Sequence, residues 1–280
     1  MRKRNRMRSA ATAVTTVAVC TLGLAACSAG AWADTDPART GSTEPVAAPQ
    51  DGAGQGAPQD PATSGTSAAP DTGAAPGTVP ESFAKTSEGG PHTVDITIDD
   101  GPSPAWTPKV LAVLAQNHVH ATFCMIGKNA AKYPALVKQV AAAGNRLCDH
   151  SVDHDMTMDK KPADYQKWEI LKGQNMIDRA AGGPAAMYYR APGGAFTPTS
   201  RGIAARHGLR PLGWDVDPRD WSRPGTANII TTVKEELKDG PIILFHDGGG
   251  NRSQTVAALR YLLPWFKQQG YGFSFPAQST

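Results

Sequence analysis

The sequence describes an α/β protein with about seven parallel strands that can close into a barrel, preceded by a disordered linker and an export signal. Three observations point there. From about residue 91 onward, short apolar runs alternate strictly with longer amphipathic ones, the pattern of a parallel sheet whose crossovers are helices. Residues 28–90 are mainly Ala, Gly, Pro, Ser and Thr, with no Leu, Ile or Met. Such a segment cannot bury enough apolar surface to offset the entropy of ordering it. The first 26 residues combine a basic head with a small-residue and apolar stretch. The expected division is therefore a signal over 1–26, a linker over 27–90 and a folded domain over 91–280.

Taken in order, the expected strands are residues 93–99, 120–126, 146–149, 187–190, 210–216, 242–246 and 271–275. Helical patterns fill 107–117, 130–143, 162–181, 198–207, 226–238 and 253–269. In barrels of this kind function gathers at the C-terminal ends of the strands.

The opening segment ends in Leu24-Ala25-Ala26-Cys27, which resembles a bacterial lipobox. On that reading Cys27 becomes the lipid-bearing N-terminus, and the chain is exported and held on the extracytoplasmic face of the cell membrane by its lipid alone. Ordinary secretion is the alternative. The formal net charge is +3, but Arg2, Lys3, Arg4, Arg6 and Arg8 lie in the signal, so the remainder carries 3 − 5 = −2. No nucleic-acid surface is expected. With Cys20 and Cys27 assigned to the signal and anchor, Cys124 and Cys148 remain, an even pair that reads as a disulfide in an oxidising compartment, two separate buried thiols being the alternative.

Five clusters fall at successive strand ends. Thr97-Ile98-Asp99-Asp100-Gly101-Pro102 closes the first strand, and two adjacent carboxylates at a turn can serve two different tasks. His150-Ser151-Val152-Asp153-His154 follows the third, where two imidazoles can reach one ion; His with carboxylate is a common ligand set for zinc and similar metals. Arg190-Ala191-Pro192-Gly193-Gly194, Asp217-Pro218-Arg219-Asp220-Trp221 and Leu244-Phe245-His246 follow in the same topological position. Each alone has a bland reading as a polar turn, a solvated loop or a buried histidine. Five such coincidences favour one shared site.

With these motifs in order, the segment from about His92 to Pro276 resembles the NodB-homology polysaccharide deacetylases, carbohydrate esterase family 4. The resemblance implies a distorted (β/α) barrel that hydrolyses N-acetyl or O-acetyl groups on chitin, peptidoglycan or xylan. It implies Asp99 as general base and Asp100, His150 and His154 as ligands of a divalent metal, zinc with cobalt as the alternative. Arg190 would hold Asp99. Asp220 would pair with His246, the general acid; Trp221 and Leu244 would wall the acetyl pocket; and the Gly193 N–H would join the oxyanion hole.

These types suit the chemistry. An amide needs an activated water, a stabilised oxyanion and a protonated leaving nitrogen, which a metal, a carboxylate base and an imidazolium acid supply together. The partner expected is an acetylated polysaccharide, and the chain is expected to act as a monomer. An acetylxylan esterase and an inactive carbohydrate-binding lipoprotein are the alternative functions. Three departures from the family pattern stand out. Ile98 occupies a usual aromatic position and Gly193 a usual bulky one. Asp149 replaces a frequent Asn, as support for the ligands or as a solvated neighbour. Trp106, Trp214 and Trp265 read as barrel packing, with Trp106 also near enough to the Asp-Asp-Gly-Pro loop to meet a sugar.

Overall fold

The computed structural model describes residues 77–237 and 240–279. The signal, Cys27 and most of the expected linker lie outside them. Seven parallel strands, β1 (Thr93–Asp99), β2 (Thr122–Met125), β3 (Arg146–Asp149), β4 (Ala186–Tyr189), β5 (Arg210–Pro211), β6 (Ile242–His246) and β7 (Gly272–Phe273), alternate with seven α-helices. These are α1 (Thr107–Gln116), α2 (Gly127–Lys132), α3 (Pro134–Ala142), α4 (Ala163–Ala181), α5 (Pro198–Arg206), α6 (Thr226–Glu236) and α7 (Ser253–Gln268). The strand order is β5-β4-β3-β2-β1-β6, with β7 pairing the start of β1. A bridge between Val216 and Ile243 joins the chain after β5 to β6, so the sheet curls into a distorted (β/α) barrel. No helix among the described residues is long and apolar enough to cross a membrane.

Strand alternation sorts the side chains. On β1, Val94, Ile96 and Ile98 join Phe123, Leu147, Ile243 and Phe245 in the main core packed under the helices. Each such buried side chain contributes roughly 2 kcal/mol. The intervening Asp95, Thr97 and Asp99 take the other face, the barrel interior, which also holds Arg190. Cys124 and Cys148 are register partners on β2 and β3 and form a disulfide.

Three expectations are corrected. The helical pattern over 130–143 is two helices, because Pro134 supplies no N–H and forces Tyr133 out of helical geometry, at φ −127° and ψ 57°. The strand expected over 210–216 stops at Pro211, since the next two carbonyls, of Leu212 and Gly213, turn to accept Arg190 Nε at 3.1 Å and Nη2 at 2.7 Å. The folded region also starts before residue 91. Val79 N–H donates to Ala205, Ala84 N–H to Pro211 and Glu88 N–H to Phe275, and Ala84 bridges Leu212, so backbone pairing orders a stretch whose composition is nearly all polar or small.

Candidate active site

At the end of β1 the backbone resolves how two neighbouring carboxylates share one pocket. Asp99 faces inward by alternation, which would send Asp100 outward. Instead Asp100 adopts φ 74°, a left-handed conformation that Asp tolerates better than most residues, and its carboxylate turns back to the pocket. Gly248 makes this turn possible, because a Cβ there would collide with the Asp100 carbonyl. Asp99 Oδ1 accepts Arg190 Nη1 at 2.7 Å, and the same nitrogen reaches Thr97 Oγ1 at 2.9 Å. With its other nitrogens on Leu212 and Gly213, the fully buried Arg190 is a fixed strut.

The loop after β3 brings in the imidazoles. Ser151 and His154 also adopt left-handed backbone, at φ 64° and 67°. Beneath them Glu169 Oε2 accepts the Val152 N–H at 2.9 Å and ties the loop to α4. His150 Nδ1 donates to the Arg190 carbonyl at 2.7 Å, which leaves the Nε2 lone pair facing the pocket. Burial keeps this ring neutral, lowering its pKa to about 3.

His150 Nε2 lies 3.6 Å from Asp100 Oδ1, and His154 Nε2 3.3 Å from the same oxygen. Because His150 is neutral, its approach to Asp100 is not an ion pair. Lone pairs converge, and Asp100 Oδ1 is buried without a hydrogen-bond partner. Ligand atoms of Asp100, His150 and His154 all lie within 4.8 Å of one another. An orphaned carboxylate oxygen beside a pre-set imidazole lone pair fits a divalent cation, and the donor types agree.

Opposite stands His246, register partner of Asp99 on the adjoining strand. Its Nδ1 meets Asp220 Oδ1 at 2.7 Å, while Asp220 Oδ2 accepts the His246 N–H at 2.9 Å and Thr255 Oγ1 at 2.6 Å. Burial disfavours the imidazolium, but the hydrogen bond and charge of Asp220, with Asp99 and Asp100 behind, outweigh it and raise the His246 pKa to about 8. Buried Arg252 braces this side by donating to the Gly248, Asp220 and Trp221 carbonyls.

These groups line one pocket of about 280 Å³, with Gly193, Trp221 and Leu244 in its wall. All the pocket residues named from the sequence therefore meet, while Arg190 and Asp220 stand behind Asp99 and His246. Asp149 is not a solvated neighbour. It is fully buried, both oxygens unpartnered, and burial pushes its carboxyl well above the usual range.

Sequence reasoning missed three contributors. Trp214 lines the pocket as well as packing against the disulfide cluster, whereas Trp106 and Trp265 pack on the main core. Met156 projects from the His154 loop over Gly193, where an added Cβ would meet its Cε at 2.9 Å, so it fills the space left by the missing bulky side chain. Buried Asp247, whose Oδ2 accepts Thr107 Oγ1 at 2.5 Å, is raised by burial to about 7 and lies directly behind the Asp100 turn. Each carried a signal in its place beside a cluster, Trp214 three residues before Asp217, Met156 two after His154 and Asp247 next to His246.

Comparison with known proteins points to one family. The family profile for polysaccharide deacetylase matches residues 86–212. The chain is 39% identical over 182 residues to a peptidoglycan-N-acetylglucosamine deacetylase of Bacillus cereus, covering 64% of this chain and 84% of that protein. It is 34% identical over 190 residues to a chitooligosaccharide deacetylase of Azorhizobium caulinodans, covering 64% and 90%. The fold matches the Bc1960 peptidoglycan N-acetylglucosamine deacetylase with a TM-score of 0.62 at 29% identity, covering 73% of this chain and 94% of that one. It also matches a pseudoenzyme of carbohydrate esterase family 4 from Bacillus anthracis, with a TM-score of 0.60 at 26% identity, covering 65% of this chain and 63% of that one. A barrel whose strand ends gather an Asp-His-His cluster between a clamped aspartate and an Asp-His pair, in a chain with these relatives, belongs to the polysaccharide deacetylase family.

Proposed function

We propose that the chain removes acetyl groups from an N-acetylated polysaccharide of peptidoglycan or chitin type, releasing acetate. The observation that carries this reading is the juxtaposition, in one pocket, of Asp100, His150 and His154 with Asp99 on one side and His246 on the other. The pseudoenzyme relative makes a binding-only role a fair rival, and the complete base, acid and ligand set argues against it. An acetylxylan ester would pass through the same tetrahedral state, but the names of the relatives favour the amide.

Asp100, His150 and His154 would hold a divalent ion, zinc or alternatively cobalt, which supplies Lewis acidity toward water and the acetyl carbonyl. The chain's own residues do the rest. Asp99, fixed by Arg190, accepts the proton of the attacking water as its oxygen bonds to the acetyl carbon. The Gly193 N–H donates to the carbonyl oxygen as charge builds there. His246, protonated through its bond to Asp220, gives its proton to the nitrogen as the carbon–nitrogen bond breaks, leaving acetate and a free amine. Leu244 and Trp221 flank the acetyl methyl.

The Leu24-Ala25-Ala26-Cys27 quartet further supports export and lipid anchoring at Cys27 on the outer face of the membrane, where the cell's own wall is the nearest substrate. We expect a monomer. Acetate release from peptidoglycan, chitin oligomers and acetylated xylan, with and without chelator, tests the proposal. Release from the first two that chelation abolishes and zinc or cobalt restores supports it; metal-independent glycan binding without acetate would overturn it.

A further inference from the structure

The stretch ahead of β1, most of it upstream of the family match at residue 86, builds a surface beside the active site. A second pocket of about 220 Å³ lies between this stretch and the barrel, walled by Phe83, Phe196 and Trp214. Trp214 also lines the catalytic pocket, and Gly194 here adjoins Gly193 there, so the two lie side by side along one surface path with the indole as their common wall. Phe83 and Phe196 meet edge to face at 4.8 Å, which fixes the far wall. Beyond Phe83 and Lys85 the path opens onto a shallow basin that Arg201 also lines.

The chemistry changes along this path. Aromatic faces beside a few polar groups suit the apolar C–H faces of sugar rings. The outer basin is cationic. Arg201 lies 5.2 Å from the Phe83 ring and donates to the Glu81 carbonyl, while the Glu81 carboxylate faces Arg206 at 3.8 Å. Among the nearby carboxylates, Asp215 Oδ2 accepts the Ile242 N–H and Glu88 is held by Arg146. Neither Lys85 nor Arg201 is matched to a carboxylate among the described residues.

We propose that this path is an extended glycan subsite, in which a neighbouring sugar lies between Trp214 and Phe83 and an acidic substituent reaches Lys85 and Arg201. The inference rests on the deacetylase reading and narrows it to a strand bearing carboxylates, as peptidoglycan does where its lactyl groups are free of stem peptide, over a neutral chitin chain. Each rim cation is exposed enough to be worth about threefold in affinity, or roughly tenfold for the pair.

The test uses the full chain, a soluble peptidoglycan tetrasaccharide with free lactyl carboxylates, and N-acetylated chitotetraose. Calorimetry on the Asp99→Asn chain, in which turnover is suppressed, should show about tenfold tighter binding of the acidic tetrasaccharide. Lys85→Glu with Arg201→Glu should erase that preference, and the acidic-to-neutral ratio of kcat/KM in the otherwise native chain should fall by about the same factor. Equal binding of the two probes, or a preference that survives the double substitution, would overturn the subsite. Failure of the native chain to release acetate from either probe would instead overturn the proposed function, and the binding comparison would still decide the subsite.

Discussion

Replacing Asp220 by Asn should move the alkaline limit of the reaction. Asp220 and His246 are both buried and 2.7 Å apart, and Asp220 is the main reason the imidazole pKa stands at about 8 rather than 6.5. That rise is worth about 2 kcal/mol, and it is achieved against a burial cost that the substitution leaves in place. In the variant, the His246 pKa should therefore fall to 6.5 or below. At pH 8 the native acid is about half protonated and the variant about 3%, so protonation alone lowers kcat/KM roughly fifteenfold there and hardly at all at pH 6. The same pair contributes stability that is full below pH 6.5 and lost as pH rises through 8, since the folded value is the higher one. The assay is acetate release across pH 5.5–9. A uniform loss of rate, with the alkaline limb still near pH 8, would refute the assignment of His246 as the acid tuned by Asp220.

Three further outcomes follow from the structure. Asp99→Asn should retain bound metal and lose about 10² to 10⁴ in kcat, because the Arg190 clamp survives on a side chain that no longer takes a proton; near-native turnover would remove Asp99 as base. Replacing Cys124 and Cys148 together by Ala should cost about 3 kcal/mol, given the 24-residue separation, and lower Tm by roughly 6–12 °C in a thermal melt, and an unchanged Tm would mean the bridge does not constrain the chain. Asp95 is buried at the far end of β1 with Oδ2 unpartnered, and burial raises it from 3.8 to about 7. Its contribution is full below pH 3.8 and lost as pH rises through 7, so Asp95→Asn should flatten a fall of roughly 2–4 kcal/mol in urea unfolding; an unaltered pH slope would contradict this.

The elements legible in the sequence are those whose pattern and packing agree. β1, β3 and β6 have the bounds their apolar runs indicate, because each places alternate residues in the core under the helices. β5 was not legible: its run of apolar residues continues, but a guanidinium 22 residues earlier claims the carbonyl of Leu212 that would extend the ladder. Residues 77–90 escaped notice because backbone pairing holds them, with Ala84 and Phe83 as their few apolar contacts. The site was legible because its residue types recur at strand ends. Its left-handed turns at Asp100 and His154 were not, since neither position carries glycine.

Zinc titration of the metal-stripped chain, followed by calorimetry, tests the central claim most directly. The account predicts one equivalent bound, with affinity lower by about tenfold or more in His154→Ala and in Asp100→Ala, and acetate release falling in step. Unchanged stoichiometry and affinity in both variants would contradict it.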